Sequence, residues 1–132
     1  MKVSELSGAT LDFWVARAGG YTLKPCDTGY RVFDAEDDIL GRIGERANTT
    51  TWLHWSSDWA QAGPIIERER IIIAPAGSPP DGDFEWRAQY PKHPCDDWNF
   101  YGDTPLIAAM RAFVADKFGL DVPDSANDAL PK

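Results

Sequence analysis

The segment that most limits the fold is "TPLIAAMRAFVADKFG", residues 104–119. Thr104 is an N-cap type, Pro105 suits the first helical position, and Gly119 supplies the stop. A helix is predicted between them. Leu106, Ile107, Met110, Phe113 and Val114 form a wide apolar stripe. Ala108, Ala109, Ala112 and Ala115 are small enough to let this helix approach a sheet closely. Such a face has to be covered by another layer of structure.

The strands that could supply that layer are short. "GYRVFD", residues 29–34, and "IIIAP", residues 71–75, are strand candidates. "FEWRAQY", residues 84–90, alternates: Phe84, Trp86, Ala88 and Tyr90 face one way, Glu85, Arg87 and Gln89 the other. With residues 71–75 it is predicted to form an antiparallel pair. "TTTWLHW", residues 49–55, is a further strand candidate. "GSPPDGD" and "PKHPCDDWNFYGD" read as loops.

"LSGATLDFWVARAGG" reads as a first helix, with Ser7 as N-cap and Leu6 and Leu11 as a hydrophobic staple. Gly19 and Gly20 end it. Residues 35–50, with their acidic start and internal glycines, are expected to be a surface insertion holding one helical turn. Glu36, Asp37 and Asp38 lack cation-ligand spacing and read as a solvated run. The expected fold is therefore α+β, with a small, mainly antiparallel sheet packed between helices. One domain spans residues 1–119, followed by a tail at 120–132 that frays.

The stretch "WLHWSSDWAQAGPIIERERI", residues 52–71, holds three tryptophans and a Gly-Pro inside a helical pattern. Ser56, Ser57 and Asp58 are all N-cap types. Two structures avoid the cost of an interior proline. Either a turn ends at Gly63 and a second helix starts at Pro64, or one helix kinks at Pro64. Trp59 shares a helical sector with Ala62 and Ile66 and is expected to pack on the sheet. For Trp52 and Trp55, core packing and ligand or partner binding stay equally open. Trp52, His54, Trp55 and Asp58 are the candidate ligand- or partner-binding residues. Trp59, Gly63, Pro64, Ile66, Thr104 and Pro105 are the candidate structural positions.

The chain of 132 residues carries a formal charge of −8. That charge opposes direct nucleic-acid binding and is compatible with a basic protein partner. No apolar run reaches the roughly 18–20 residues of a membrane span. Residues 1–20 have neither a basic n-region nor an apolar h-region, so no signal peptide is expected. Cys26, His54, His93 and Cys95 lack zinc-site spacing, so neither metal nor cofactor is expected. Cys95 with His54 or His93 and Asp96 or Asp97 is a conceivable nucleophilic set, yet no catalytic motif surrounds it. Catalytic residues are accordingly left unassigned.

"MKVSELSGATLDFWVARAGGY", "SSDWAQAGPIIERERI" and "TPLIAAMRAFVADKFG" together resemble the NinX-like family of small proteins of tailed phages and prophages. The blocks keep that family's order across nearly the whole chain. Two places depart from its pattern: Ala62, where glycine is usual, and residues 54–57, where a proline-containing lead-in is usual. A weaker similarity, to the phage α-β-α sandwich domain, implies a sheet between helical layers. Neither resemblance brings catalytic residues. They imply a phage- or prophage-encoded accessory protein in the cytoplasm of a bacterial host.

The expected function is a non-enzymatic binding module acting on a host or defence component, either a protein or a small metabolite. A small enzyme with a Cys/His/carboxylate cleft is the alternative, and an acidic nucleic-acid mimic the lesser one. A homo-oligomer through sheet edges is compatible with the pattern.

Overall fold

The computed structural model describes residues 1–26, 29–44, 53–76, 85–92 and 99–123. Among the described residues three α-helices, α1 (Gly8–Ala18), α2 (Trp59–Glu69) and α3 (Pro105–Phe118), combine with six strands. The strands are β1 (Thr22–Cys26), β2 (Gly29–Phe33), β3 (Ile39–Gly44), β4 (Ile72–Ala76), β5 (Glu85–Gln89) and β6 (Phe100–Gly102).

Helix α3 is the spine of the core. The Thr104 hydroxyl accepts from the Ile107 N–H at 3.2 Å, and Pro105 occupies the first turn. Gly119, at φ 90°, ends the helix. Leu106, Ala108, Ala109, Met110, Ala112, Phe113, Val114 and Ala115 are all buried. A helix apolar on nearly every side needs cover on more than one side. It packs against β4, β5 and β6, against α1, and against α2. Arg111 ties its surroundings together, with Nε donating to the Leu6 carbonyl at 2.8 Å and Nη1 to the Tyr101 carbonyl at 2.6 Å. Burial lowers the pKa of this guanidinium, against the opposing pull of Asp103 and Glu85.

Helix α1 starts after Ser7, and the staple residues Leu6 and Leu11 are both fully buried. Its end is a Schellman turn: the Gly20 N–H donates to the Arg17 carbonyl and the Tyr21 N–H to the Ala16 carbonyl, both at 3.1 Å. Gly20 takes the left-handed position, at φ 84°. The other face of α1 meets the first sheet, where the Phe13 and Tyr30 rings lie 4.9 Å apart.

The strands divide into two antiparallel sheets, β1-β2-β3 and β4-β5-β6. In the first, Leu23 pairs with Val32, and Tyr30 with Ile43, which places these four apolar residues on one face. In the second, Ile73, Ala88 and Phe100 lie in register across the sheet. The α+β class, the antiparallel pairing and the single compact domain agree with the sequence pattern. The layering differs from a sheet between helices: α3 and α1 lie between the two sheets, each with a sheet on its outer side. One small sheet does not cover both helices, because each buries side chains in more than one direction.

Several local expectations change. The segment 35–50 contains β3, where one helical turn was expected. Its acidic start is a hairpin turn instead: Asp34 Oδ1 accepts from the Glu36 and Asp38 N–H groups at 2.9 and 3.0 Å. Of residues 49–55, 49–52 lie outside the described residues, and Leu53 and His54 are not in a strand. Leu53 only extends the edge of β3, donating its N–H to the Arg42 carbonyl at 2.8 Å. The stretch 91–103, expected as a loop, includes β6. Residues 120–122 are hydrogen-bonded to the start of the chain. Val3 donates to the Leu120 carbonyl and Val122 to the Met1 carbonyl, each at 2.9 Å.

Helix α2 resolves the Gly-Pro question: one helix runs through Gly63 and Pro64. Proline crowds the Cβ of the residue before it when that residue is helical, and glycine has none. The missing N–H leaves the Ala60 carbonyl without its helical donor, but Ala60 is exposed and water can serve it. Pro25 and Pro75 sit in β1 and β4, both outer strands of their sheets, where a lost N–H costs no ladder bond. Among the described residues, no helix is long and apolar enough to cross a membrane.

Candidate functional site

The residues leading into α2 form a hydrogen-bonded joint. The Ser57 and Asp58 N–H groups both donate to the His54 carbonyl at 2.9 Å. Asp58 then caps α2, its Oδ1 accepting from the Ala60 N–H at 2.8 Å. The Gln61 side chain reaches back, its Oε1 accepting from the His54 N–H at 2.6 Å.

Asp12 anchors this joint to the core. It lies on α1 among Leu11, Phe13, Trp14 and Val15, and only 4% of its surface is exposed. Its Oδ1 accepts from the Ser56 N–H at 2.8 Å, across 44 residues of chain. Burial is the main influence on this carboxyl and raises its pKa from 3.8 to about 6. The bonds from the Ser56 backbone and hydroxyl, and the nearby His54, pull the other way and limit the rise. A buried carboxylic acid titrating near neutrality beside a cleft is a frequent mark of a functional site.

A concavity of about 340 Å³ opens over this carboxyl. Gly8 and Ala9 from α1, Leu53, His54, Ser56 and Ser57 from the joint, and Ile107 from α3 line it with Asp12. His54 and Ser57 are exposed, whereas Asp12 and Ser56 are buried. The site therefore offers a carboxyl at its base, hydroxyls on its wall and an imidazole at its rim.

The structure separates the residues singled out in the sequence. His54 lines the concavity, and Asp58 holds the joint as the cap of α2. Trp55 is 5% exposed and stacks on Tyr21, with ring centroids 6.2 Å apart and planes inclined by 10°. It packs in the hydrophobic core. Trp59 is the reverse case: it was expected to pack on the sheet, yet 55% of it is exposed. It is the first residue of α2, and helical side chains lean toward the N-terminus, so its ring extends past the packed part of the helix. Ala62 and Ile65 form the buried face of α2, with Ile66 partly buried beside them. Trp52, His93, Cys95, Asp96 and Asp97 lie outside the described residues, and with them the zinc and nucleophilic sets built on His93 and Cys95.

Sequence reading missed Asp12 and Ser57. A signal for Asp12 was present: it is the one acidic residue of "GATLDFWVARA" and stands between apolar neighbours on both sides.

No curated protein matches the chain. The family model described as bacteriophage P22 NinX matches residues 2–117, which takes in every helix core, both sheets and the joint at 53–58. The chain belongs to the phage P22 NinX family and is, in that sense, a phage accessory protein.

Proposed function

We propose that this protein is a non-enzymatic binding module that engages a host or defence component, a protein or a small metabolite, through the concavity between α1 and residues 53–57. The observation that carries the reading is the buried Asp12 carboxyl under a concavity rimmed by exposed His54 and Ser57. The bound group is a hydrogen-bond donor, such as an amide, an amine or a guanidinium, because the base of the site accepts. Binding is favoured over catalysis by what holds Asp12. Its carboxylate is fixed by the Ser56 N–H, and the bond that orients His54 runs from its backbone to Gln61. Both arrangements stabilise the shape of the site.

The test is affinity capture from a host lysate in parallel with a thermal-shift screen of small amines and amides. Wild type and Ser57→Trp, which fills the concavity from an exposed position, are compared. A ligand or partner retained by wild type and lost by the variant supports the reading. Equal recovery by both, or no specific recovery in either arm, contradicts it.

A further inference from the structure

A second concavity, of about 320 Å³, lies at the far end of α2 and shares no lining residue with the first. It is lined by Arg68, Glu69 and Arg70 and by Tyr90, Pro91 and Lys92. In a chain of net charge −8, three cations on one small hollow is a local reversal of sign.

The carboxylates nearby are already engaged. Glu69 accepts from the Tyr90 hydroxyl at 3.1 Å and lies 3.5 Å from Lys117 Nζ. Asp116 lies 2.9 Å from Lys92 Nζ and 3.6 Å from Lys117 Nζ. Partial burial works to raise the Glu69 pKa, but Lys117 and the bonds from Tyr90 and Arg68 outweigh it, so the net shift is downward. With Glu69 ionised, three cations and one carboxylate line the hollow, which leaves it positive.

Arg70 is the distinctive residue. It sits at φ 57° and ψ 44°, the left-handed position that closes α2. Its N–H donates to the Glu67 carbonyl, and the Ile71 N–H to the Ile66 carbonyl, as in the glycine-ended turn of α1. Glycine takes this position without the steric cost that an arginine bears. The rigid guanidinium fork suits oxyanions such as phosphate. We propose that this hollow binds a small anion of the phosphate class, held by Arg68, Arg70 and Lys92. Its volume accommodates a phosphate with a modest substituent, and the overall negative charge repels a long polyanion.

The test is a titration of the full chain with sodium pyrophosphate at constant ionic strength, read from backbone amide chemical shifts. Wild type, Arg70→Gly and Arg70→Lys are compared. Arg70→Gly relieves the backbone strain, so its melting temperature is expected at or above that of wild type. The expected result is a saturable shift at residues 68–70, 90 and 92, about tenfold weaker in Arg70→Gly and closer to wild type in Arg70→Lys. Shifts that chloride reproduces, equal affinity in Arg70→Gly, or a lower melting temperature for that variant would overturn the proposal. So would tighter binding of a single-stranded oligonucleotide than of pyrophosphate.

Discussion

The Asp12 carboxylate and the Ser56 N–H, 2.8 Å apart, join the first helix to the turn that starts the second. The bond holds the 53–58 joint against the core and sets the base of the candidate site. It also brings an ionisable group into a place where its charged form is disfavoured.

Burial of that carboxyl gives a pH dependence with a definite sign. The Asp12 pKa is raised on folding from 3.8 to about 6, so the protonated acid is the form that folding favours. Its contribution is full below pH 3.8 and is lost as pH rises through about 6, a loss of about 3 kcal/mol. Asp12→Asn keeps an acceptor for Ser56 and removes the charge. Urea denaturation at pH 5 and pH 8 is expected to show a flatter profile and a more stable protein at pH 8. Asp12→Ala also removes the charge but leaves the Ser56 N–H unpaired, and is expected to be about 1–3 kcal/mol less stable than Asp12→Asn. Equal stability of the two variants at pH 8, or an Asp12→Asn protein no more stable than wild type there, would contradict this account.

The two tryptophans that flank the joint have opposite expected phenotypes. Trp55→Ala removes a buried ring stacked on Tyr21 and is expected to cost about 3–5 kcal/mol. Trp59→Ala removes an exposed ring and is expected to change stability by no more than about 0.5 kcal/mol. Denaturation midpoints of the two variants decide the matter, and a reversed order would refute the assignment of core and surface.

The Gly63-Pro64 pair is expected to behave non-additively. Pro64 is exposed, and Pro64→Ala restores a donor to the Ala60 carbonyl, for a gain of about 1–3 kcal/mol. A Cβ at Gly63 meets nothing within 4 Å beyond its chain neighbours and the backbone of its own helix. Its cost is therefore the clash with the proline ring. Gly63→Ala is expected to destabilise the wild type and to stabilise the Pro64→Ala protein by about 1 kcal/mol. A double-mutant cycle measures the coupling, and additive effects would rule out the clash.

The sequence made the long elements legible and left the short ones hidden. Helix α3 announced itself through Thr104, Pro105, Gly119 and its apolar stripe, and the β4–β5 pair through the alternation of residues 84–90. Strand β6 has only three residues, too few for a period to register. Strand β3 carries Gly41 and Gly44, which read as breakers, and its order comes from pairing with β2. Periodicity assigned Trp59 to the face of Ala62 without regard to its place at the helix start. The candidate site was half visible, because His54 and Asp58 belong to one short segment of sequence. Asp12 joins them only through tertiary contact, which no local pattern reports.

The central claim is that the concavity over Asp12 is where this protein meets its partner. The most direct measurement is quantitative capture from host lysate by wild type and Ser57→Trp at pH 7.5, with melting temperatures recorded for both. The account predicts a component enriched by wild type and reduced at least about tenfold by the variant, with the two melting temperatures alike. Equal enrichment by the two proteins would place the partner elsewhere and contradict it.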